Sequence, residues 1–281
     1  MQGARDAARL GPPFDWGTQV AIKAVFLDID GTLVRFNERH LNDRTRQALE
    51  AARAQGVALM IVTGRYKDGI GVNADFAFDG YSTANGEYCF MADGELIHMQ
   101  PMDPADVTAF AKACEESGLS TTITEPDDIY FCGSREELEK SVRWQSRQDE
   151  LGGRVRPWSV VGENPVLQMV VDCDPALDDE LLANVPGLES ARWSPAFMDV
   201  VERGRGKGDA IDAFCERLGI TPAECMAVGD GGNDVHMLVH AGLGVAMGQA
   251  ADSVKAAADV VAPPCDEDGC AWAIEKYVLG Q

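Results

Sequence analysis

The chain has 281 residues, 46% of them hydrophobic and 7% aromatic, which is enough for one large domain or two smaller ones and too apolar for a disordered chain. Its 24 basic against 46 acidic residues give a formal charge of −22, which argues against nucleic-acid and anionic-membrane partners, so any anionic ligand has to meet a local cation. Eight cysteines (positions 89, 114, 132, 173, 215, 225, 265 and 270), none in a CxxC pair, read as buried free thiols in a reducing compartment, and no run approaches the ~20 apolar residues that cross a bilayer. The expectation is a cytoplasmic protein in which residues 1–20, carrying Arg5, Arg9, Pro12, Pro13 and Asp15, form a loose tail rather than a signal peptide.

In chain order, Val25, Phe26, Leu27 and Ile29 read as a buried strand that runs into Asp28, Asp30 and Gly31. Asn42 is a plausible N-cap for a helix to Gln55, with Thr45, Ala48, Leu49 and Ala52 on one face and Gly56 as its stop. Val57 to Val62 is a second apolar strand, ending in Thr63-Gly64-Arg65, so the first three elements form a βαβ unit and imply a parallel sheet. Asn85-Gly86 signals a turn. From there the pattern changes: a hairpin closed by Asp93-Gly94, helices over 104–117, 135–148 and 175–183, an extended stretch over 121–131, and a strand over 166–172 that contains Gln168. The earlier pattern resumes near Ala191 with a strand at Phe197 to Val201. Lys207 then precedes a helix over 209–218, Met226 to Gly229 form a strand ending in Asp230-Gly231-Gly232-Asn233-Asp234, and short strands follow at 244–247 and 260–261 around an alanine-rich helix. Residues 271–279 close the chain as a helix.

Four strand or helix boundaries thus carry polar groups of complementary kinds: Asp28 with Asp30, Thr63, Lys207, and Asp230 with Asn233 and Asp234. Ligands in open α/β sheets bind at the carboxyl ends of strands. Adjacent carboxylates there repel unless a cation or a shared proton intervenes. Three carboxylates suit a hard divalent ion such as Mg²⁺, whereas the four scattered histidines have no zinc spacing. Each of these groups alone has an ordinary reading, Thr63 as an end-of-strand hydroxyl, Lys207 as a solvated lysine and Asn233 as a helix cap; their agreement is what points to a site.

Asp28-x-Asp30-Gly31-Thr32, Thr63-Gly64-Arg65, Lys207 and Gly229-Asp230-Gly231-Gly232-Asn233-Asp234 resemble, in order and spacing, the four motifs of the haloacid dehalogenase superfamily, and most closely its Cof-type phosphatases. The likeness covers nearly everything after residue 20. It implies an α/β fold: a Rossmann-like core of residues 21–84 and 191–281, with an α/β cap inserted over 85–190 that selects the substrate. It also implies Mg²⁺-dependent hydrolysis of a small phosphorylated metabolite, a sugar phosphate or phosphorylated cofactor, with Asp28 as nucleophile and Asp30 as acid and base. Asp28, the backbone carbonyl of Asp30 and Asp230 would hold the metal, with Asp234 acting on Lys207 or through a water; Thr63, Gly64, Lys207 and Asn233 would surround the phosphate.

Arg65 reads equally as a substrate contact or as a surface ion pair, and Asn85 as a hinge and pocket residue or as a turn former. Glu202 stands where the family often has proline, and Gly206 where a serine often precedes the lysine. A phosphomutase would use the same core, and a phospho-acceptor signalling domain shares the acidic cluster, Thr and Lys but needs no cap.

Overall fold

The computed structural model describes residues 21–36, 38–72, 76–141, 144–145, 153–192 and 194–281. The expected tail at 1–20 and residues 142–143 and 146–148 of an expected helix lie outside them. Along the chain come β1 (Ala24–Leu27), α1 (Asp43–Ala54), β2 (Ala58–Val62), β3 (Gly80–Thr83), β4 (Tyr88–Met91), β5 (Leu96–Met99) and α2 (Pro104–Glu116). Next are β6 (Thr121–Thr124), β7 (Ile129–Cys132), α3 (Arg135–Lys140), β8 (Gln168–Val171), α4 (Asp178–Leu182), β9 (Leu188–Ser190) and β10 (Met198–Glu202). The last are α5 (Lys207–Leu218), β11 (Cys225–Gly229), α6 (Val235–His240), β12 (Leu243–Ala246), α7 (Asp252–Ala257), β13 (Val260–Val261) and α8 (Gly269–Tyr277). The chain divides into two compact units, one of residues 1–64, 70–98 and 206–281 and one of 65–69 and 99–205.

The first unit is built on an eight-stranded sheet in the order β13-β12-β11-β1-β2-β3-β4-β5. Pairing is parallel from β13 to β3, and β4 returns antiparallel to β3. Its central strand is apolar throughout because both faces are covered. Val25 and Leu27 join Leu49 and Ala52 of α1 and Ile274 of α8 in one core layer, while Ala24 and Phe26 join Ile211 and Phe214 of α5 and Leu238 of α6 in the other. The helix α1 starts as expected, with Asn42 Oδ1 accepting from Thr45 N at 2.8 Å, and buries the four residues of its expected face. In register, Leu27 lies beside Val228 on one side and Ile61 on the other, so Asp28, Thr63 and Asp230 leave three adjacent strands at the same carboxyl edge.

The second unit holds a five-stranded sheet in the order β7-β6-β8-β10-β9. One face carries Ile123, Tyr130, Met169, Val171, Met198 and Val200, packed with Val107, Phe110 and Cys114 of α2 and Leu181 of α4. α3 opens with a capping box, Ser134 Oγ accepting from Glu137 N and the Glu137 carboxylate from Ser134 N.

Two boundaries differ from those expected. The hairpin β4–β5 extends the sheet of the first unit, because the chain turns back at residues 84–86, β4 pairs with β3, and Cys89, Met91 and Ile97 pack into the α5 layer. The strand expected to open the returning flank, β10, belongs to the second unit, where Met198 and Val200 complete its apolar face between β8 and β9. All eight cysteines are free and seven are buried, as their apolar surroundings predict.

Candidate active site

Asp28 is the first residue past β1, and its backbone N–H still donates to Val228 O at 3.1 Å, so the sheet fixes where its carboxylate begins. Lys207, the first residue of α5, is 1% exposed and brings its Nζ to within 2.6 Å of both Asp28 Oδ1 and Asp234 Oδ1. The other Asp234 oxygen accepts from Asp230 N at 2.8 Å and Gly231 N at 2.7 Å. One buried carboxylate thereby clamps the loop after β11 and holds the lysine against Asp28. Asp28, Asp230 and Asp234 each offer an oxygen within 4.8 Å of the others. The side chain of Asp30 lies outside that trio, in a tight loop closed by Gly31 N to Val34 O at 2.8 Å.

Burial and then the Asp234 charge push the Asp28 carboxyl well above the usual carboxylate range, with Lys207 only partly offsetting them. Burial and Asp234 likewise push Asp230 up to about 7. Burial pulls the Lys207 ammonium down, but Asp234 and Asp28 together outweigh it and leave its pKa raised, so it stays charged. Three carboxylates facing one ammonium carry a surplus of negative charge, and oxygen donors this close together fit a hard divalent cation.

Thr63 is buried at the end of β2, with its N–H on Ser82 O and its carbonyl accepting from Asn85 N at 3.1 Å. Asn85 sits in a run of left-handed backbone, Ala84 at φ 50°, Asn85 at φ 57° and Gly86 at φ 109°. Two of these are not glycine, so the turn is held against its own preference, and what it secures is the side chain of Asn85. Asn85 Oδ1 accepts from Asn233 Nδ2 at 2.9 Å, and a Cβ on Gly64 would stand 3.1 Å from the same oxygen. The sequence-predicted residues Thr63, Gly64, Asn85 and Asn233 are therefore brought together. Arg65 falls in the short segment grouped with the second unit, and its guanidinium donates to Gly69 O at 2.8 Å, a backbone contact that neither of its expected roles anticipated.

Sequence reasoning missed Gln249. Its amide nitrogen donates to Gly31 O at 2.6 Å and Asp230 Oδ2 at 3.3 Å, and its oxygen accepts from Cys265 N at 2.9 Å, tying the loops after β1, β11 and β13 to its own loop after β12. Nothing in its local sequence marked it. The glycine at 206, where a serine is frequent, has a local cause: its φ is +153°, and a Cβ would stand 3.2 Å from His236 Nδ1. At Gly229 a Cβ would meet the Asp234 carboxylate at 2.5 Å. Gly229→Ala is expected to displace Asp234, lower thermal stability and cut activity at least about tenfold, in keeping with the cost of misplacing catalytic groups; unchanged melting and kinetics would show that the clamp tolerates the methyl.

A family model described as haloacid dehalogenase-like hydrolase matches residues 25–274, almost the whole described chain. The chain belongs to that family. Among solved structures, the HAD subclass IIB sugar phosphatase BT4131 is 37% identical, with a TM-score of 0.83 over 91% of this chain and 98% of that one. The HAD phosphatase BT1666 from Bacteroides thetaiotaomicron is 26% identical, with a TM-score of 0.81 over 94% and 97%. The 5-amino-6-(5-phospho-D-ribitylamino)uracil phosphatase YcsE of Bacillus subtilis (strain 168) is 28% identical over 267 residues, 92% of this chain and 97% of the relative. This haloacid dehalogenase-like hydrolase therefore shares fold and length with phosphatases of known structure. Among the described residues, no helix is long and apolar enough to cross a membrane.

Proposed function

We propose that the protein is a Mg²⁺-dependent phosphatase that hydrolyses a small phosphate monoester, a sugar phosphate or a phosphorylated cofactor, through an aspartyl-phosphate on Asp28. The observation that carries this reading is the position of Asp28, rigid at a strand end, 2.6 Å from a buried ammonium and inside a trio of carboxylates. The names of its relatives, a sugar phosphatase among them, support the same reading.

In this reading Asp28 attacks phosphorus while Asp30 protonates the departing oxygen; Asp30 then takes a proton from the water that cleaves the acyl phosphate, releasing phosphate and restoring Asp28. Lys207 and Thr63 hold the phosphoryl oxygens, and Asn233, steadied by Asn85, borders them. Asp234 is a positioning residue that aims Lys207. Mg²⁺ held by Asp28, Asp230 and the Asp30 carbonyl would neutralise the charge that otherwise keeps two anions apart.

The test is free-phosphate release from a panel of phosphorylated metabolites with and without Mg²⁺. Hydrolysis that persists in a chelator would overturn the metal dependence, and an isomerised phosphorylated product in place of free phosphate would mark a mutase.

Metal binding should also depend on pH. Asp230 has to be ionised to ligate and titrates near 7 in the metal-free protein, so apparent Mg²⁺ affinity should weaken by up to about tenfold per unit below that pH. The sign for stability agrees. A carboxyl with a raised folded pKa favours the folded state at low pH, and that contribution is lost as pH rises through about 7. Added Mg²⁺ is therefore expected to raise the melting temperature more at pH 8 than at pH 6; equal increments would contradict the assignment.

A further inference from the structure

Two of the eight cysteines face each other, both in the first unit. Cys215 lies near the end of α5 and Cys225 opens β11, and their sulfurs stand 3.4 Å apart in the core layer that also holds Ala210, Ile211, Phe214 and Ala227. Among the described residues no other two cysteine sulfurs make such a contact. Cys89 Sγ donates to Gly86 O and Cys265 Sγ to Thr32 O, while Cys173 meets Arg192 and Asp178.

The short connection between α5 and β11 builds this contact in. α5 stops at Gly219, whose φ of 67° turns the chain back so that Ile220 N donates to Cys215 O at 3.1 Å. Thr221 N then donates to Glu224 Oε2 at 2.9 Å, Glu224 N to Thr221 O at 2.9 Å, and Cys225 Sγ to Thr221 O at 3.3 Å. Backbone hydrogen bonds thus fix both ends, and closing 3.4 Å to the ~2.0 Å of a disulfide is a movement on the scale of a side-chain rotation. The two sulfurs are not equivalent. Cys225 is 0% exposed, whereas Cys215 keeps 4%. The hydrogen bond from Cys225 favours the Cys215 thiolate and, although burial, Asp212 and Glu224 oppose it, leaves that thiol below its ordinary pKa; the same contact and burial push Cys225 up. The reaction at the acidic cluster uses neither.

We propose that Cys215 and Cys225 are an oxidative modification site, at which hydrogen peroxide joins them in a reversible intramolecular disulfide that staples α5 to β11. The Cys215 thiolate attacks one peroxide oxygen; the O–O bond breaks, Cys215 becomes the sulfenic acid, and the departing hydroxide takes up the proton that the thiol released. Cys225 then attacks that sulfur. The S–S bond forms, the S–O bond breaks, and hydroxide leaves as water with the Cys225 proton. Two thiols together lose two electrons and two protons, and hydrogen peroxide becomes two waters. The staple holds two elements whose other ends carry Lys207 and Asp230, and it is independent of the reaction proposed there.

The test treats the folded full chain with hydrogen peroxide, alkylates it with N-ethylmaleimide in denaturant and digests it with trypsin. Because Arg217 lies between the two cysteines, the disulfide should appear as peptides 208–217 and 218–255 joined, lighter by two hydrogens than their sum, and should disappear with dithiothreitol. Recovery of both cysteines as alkylated thiols, or as separate sulfinic or sulfonic acids, would overturn the proposal. Dimedone, which traps sulfenic acids, reads the order of attack: Cys225→Ala should be labelled at Cys215, and a label at Cys225 in Cys215→Ala would overturn the assigned roles. Closing so short a loop should raise the melting temperature of the oxidised wild type by roughly 5–10 °C over the reduced protein, a gain that both variants lack. A disulfide that forms but lowers the melting temperature would show that the fold must distort to make it, and would overturn the reading of a pair already in place.

Discussion

Asp28→Asn is expected to lower phosphate release at least about 10⁴-fold, the scale on which removing one member of a catalytic unit disables the whole. The variant should nevertheless fold, and without metal it should melt higher than the wild type at pH 7.5. The Asp28 carboxyl is held well above its ordinary range by burial and by Asp234, so its ionised form strains the site at neutral pH and a neutral amide of the same shape relieves that strain. Stability gained where activity is lost is the mark of a group kept for chemistry. Parallel kinetics and thermal melts check both halves. An Asp28→Asn enzyme that turned over p-nitrophenyl phosphate at the wild-type rate would remove Asp28 from the mechanism, and a large fall in melting temperature would show its carboxylate to be structural.

Lys207→Met should act in the opposite direction on stability and the same direction on activity. The ammonium is buried and donates to Asp28 and Asp234 at 2.6 Å each, so its removal leaves two carboxylates facing each other beside Asp230. Taking one partner from a buried ion pair costs about 3–5 kcal/mol. At about 2–4 °C per kcal/mol for large domains, the melting temperature should drop by roughly 6–20 °C. Without the lysine the carboxyls of Asp28 and Asp230 lose the charge that holds them down, so the deficit should shrink as pH is lowered from 8 toward 5 and these acids protonate. Adding Asp234→Asn to Lys207→Met should recover part of the loss, a coupling that a double-mutant cycle measures. A melting curve that Lys207→Met leaves unchanged at pH 7.5 would refute the account of the cluster.

Much of this site was legible in the chain because its key residues sit where local pattern is strongest. An apolar strand buried on both faces has to end somewhere, and the carboxylates after Leu27 and Gly229 are visible as the abrupt end of such runs. The α1 cap at Asn42 and the helix face of Thr45, Ala48, Leu49 and Ala52 are local in the same sense, governed by interactions within three or four residues. Gln249 was not legible, because its role consists of three hydrogen bonds to loops distant in sequence and polarity alone does not mark it. The left-handed backbone at Ala84 was equally silent, since alanine gives no sign of a positive φ that only its surroundings enforce.

Local signals also misplaced both boundaries between the units. β4, β5 and β10 were recognisable as strands, but a strand's alternation states that one face is buried without stating against which sheet. Antiparallel pairing to β3 took the first two into the larger sheet, and the Met198 and Val200 side chains took β10 into the smaller one. The sequence by itself determined the strand that carries Asp28, the identity of the acids and the family they belong to. Only the tertiary structure decided that Asp234 and Asp28 share one buried lysine and that the sulfurs of Cys215 and Cys225 face each other. The reason is physical: strand ends and helix caps are set by neighbours along the chain, whereas burial, charge coupling and register come from residues that meet only when the chain has folded.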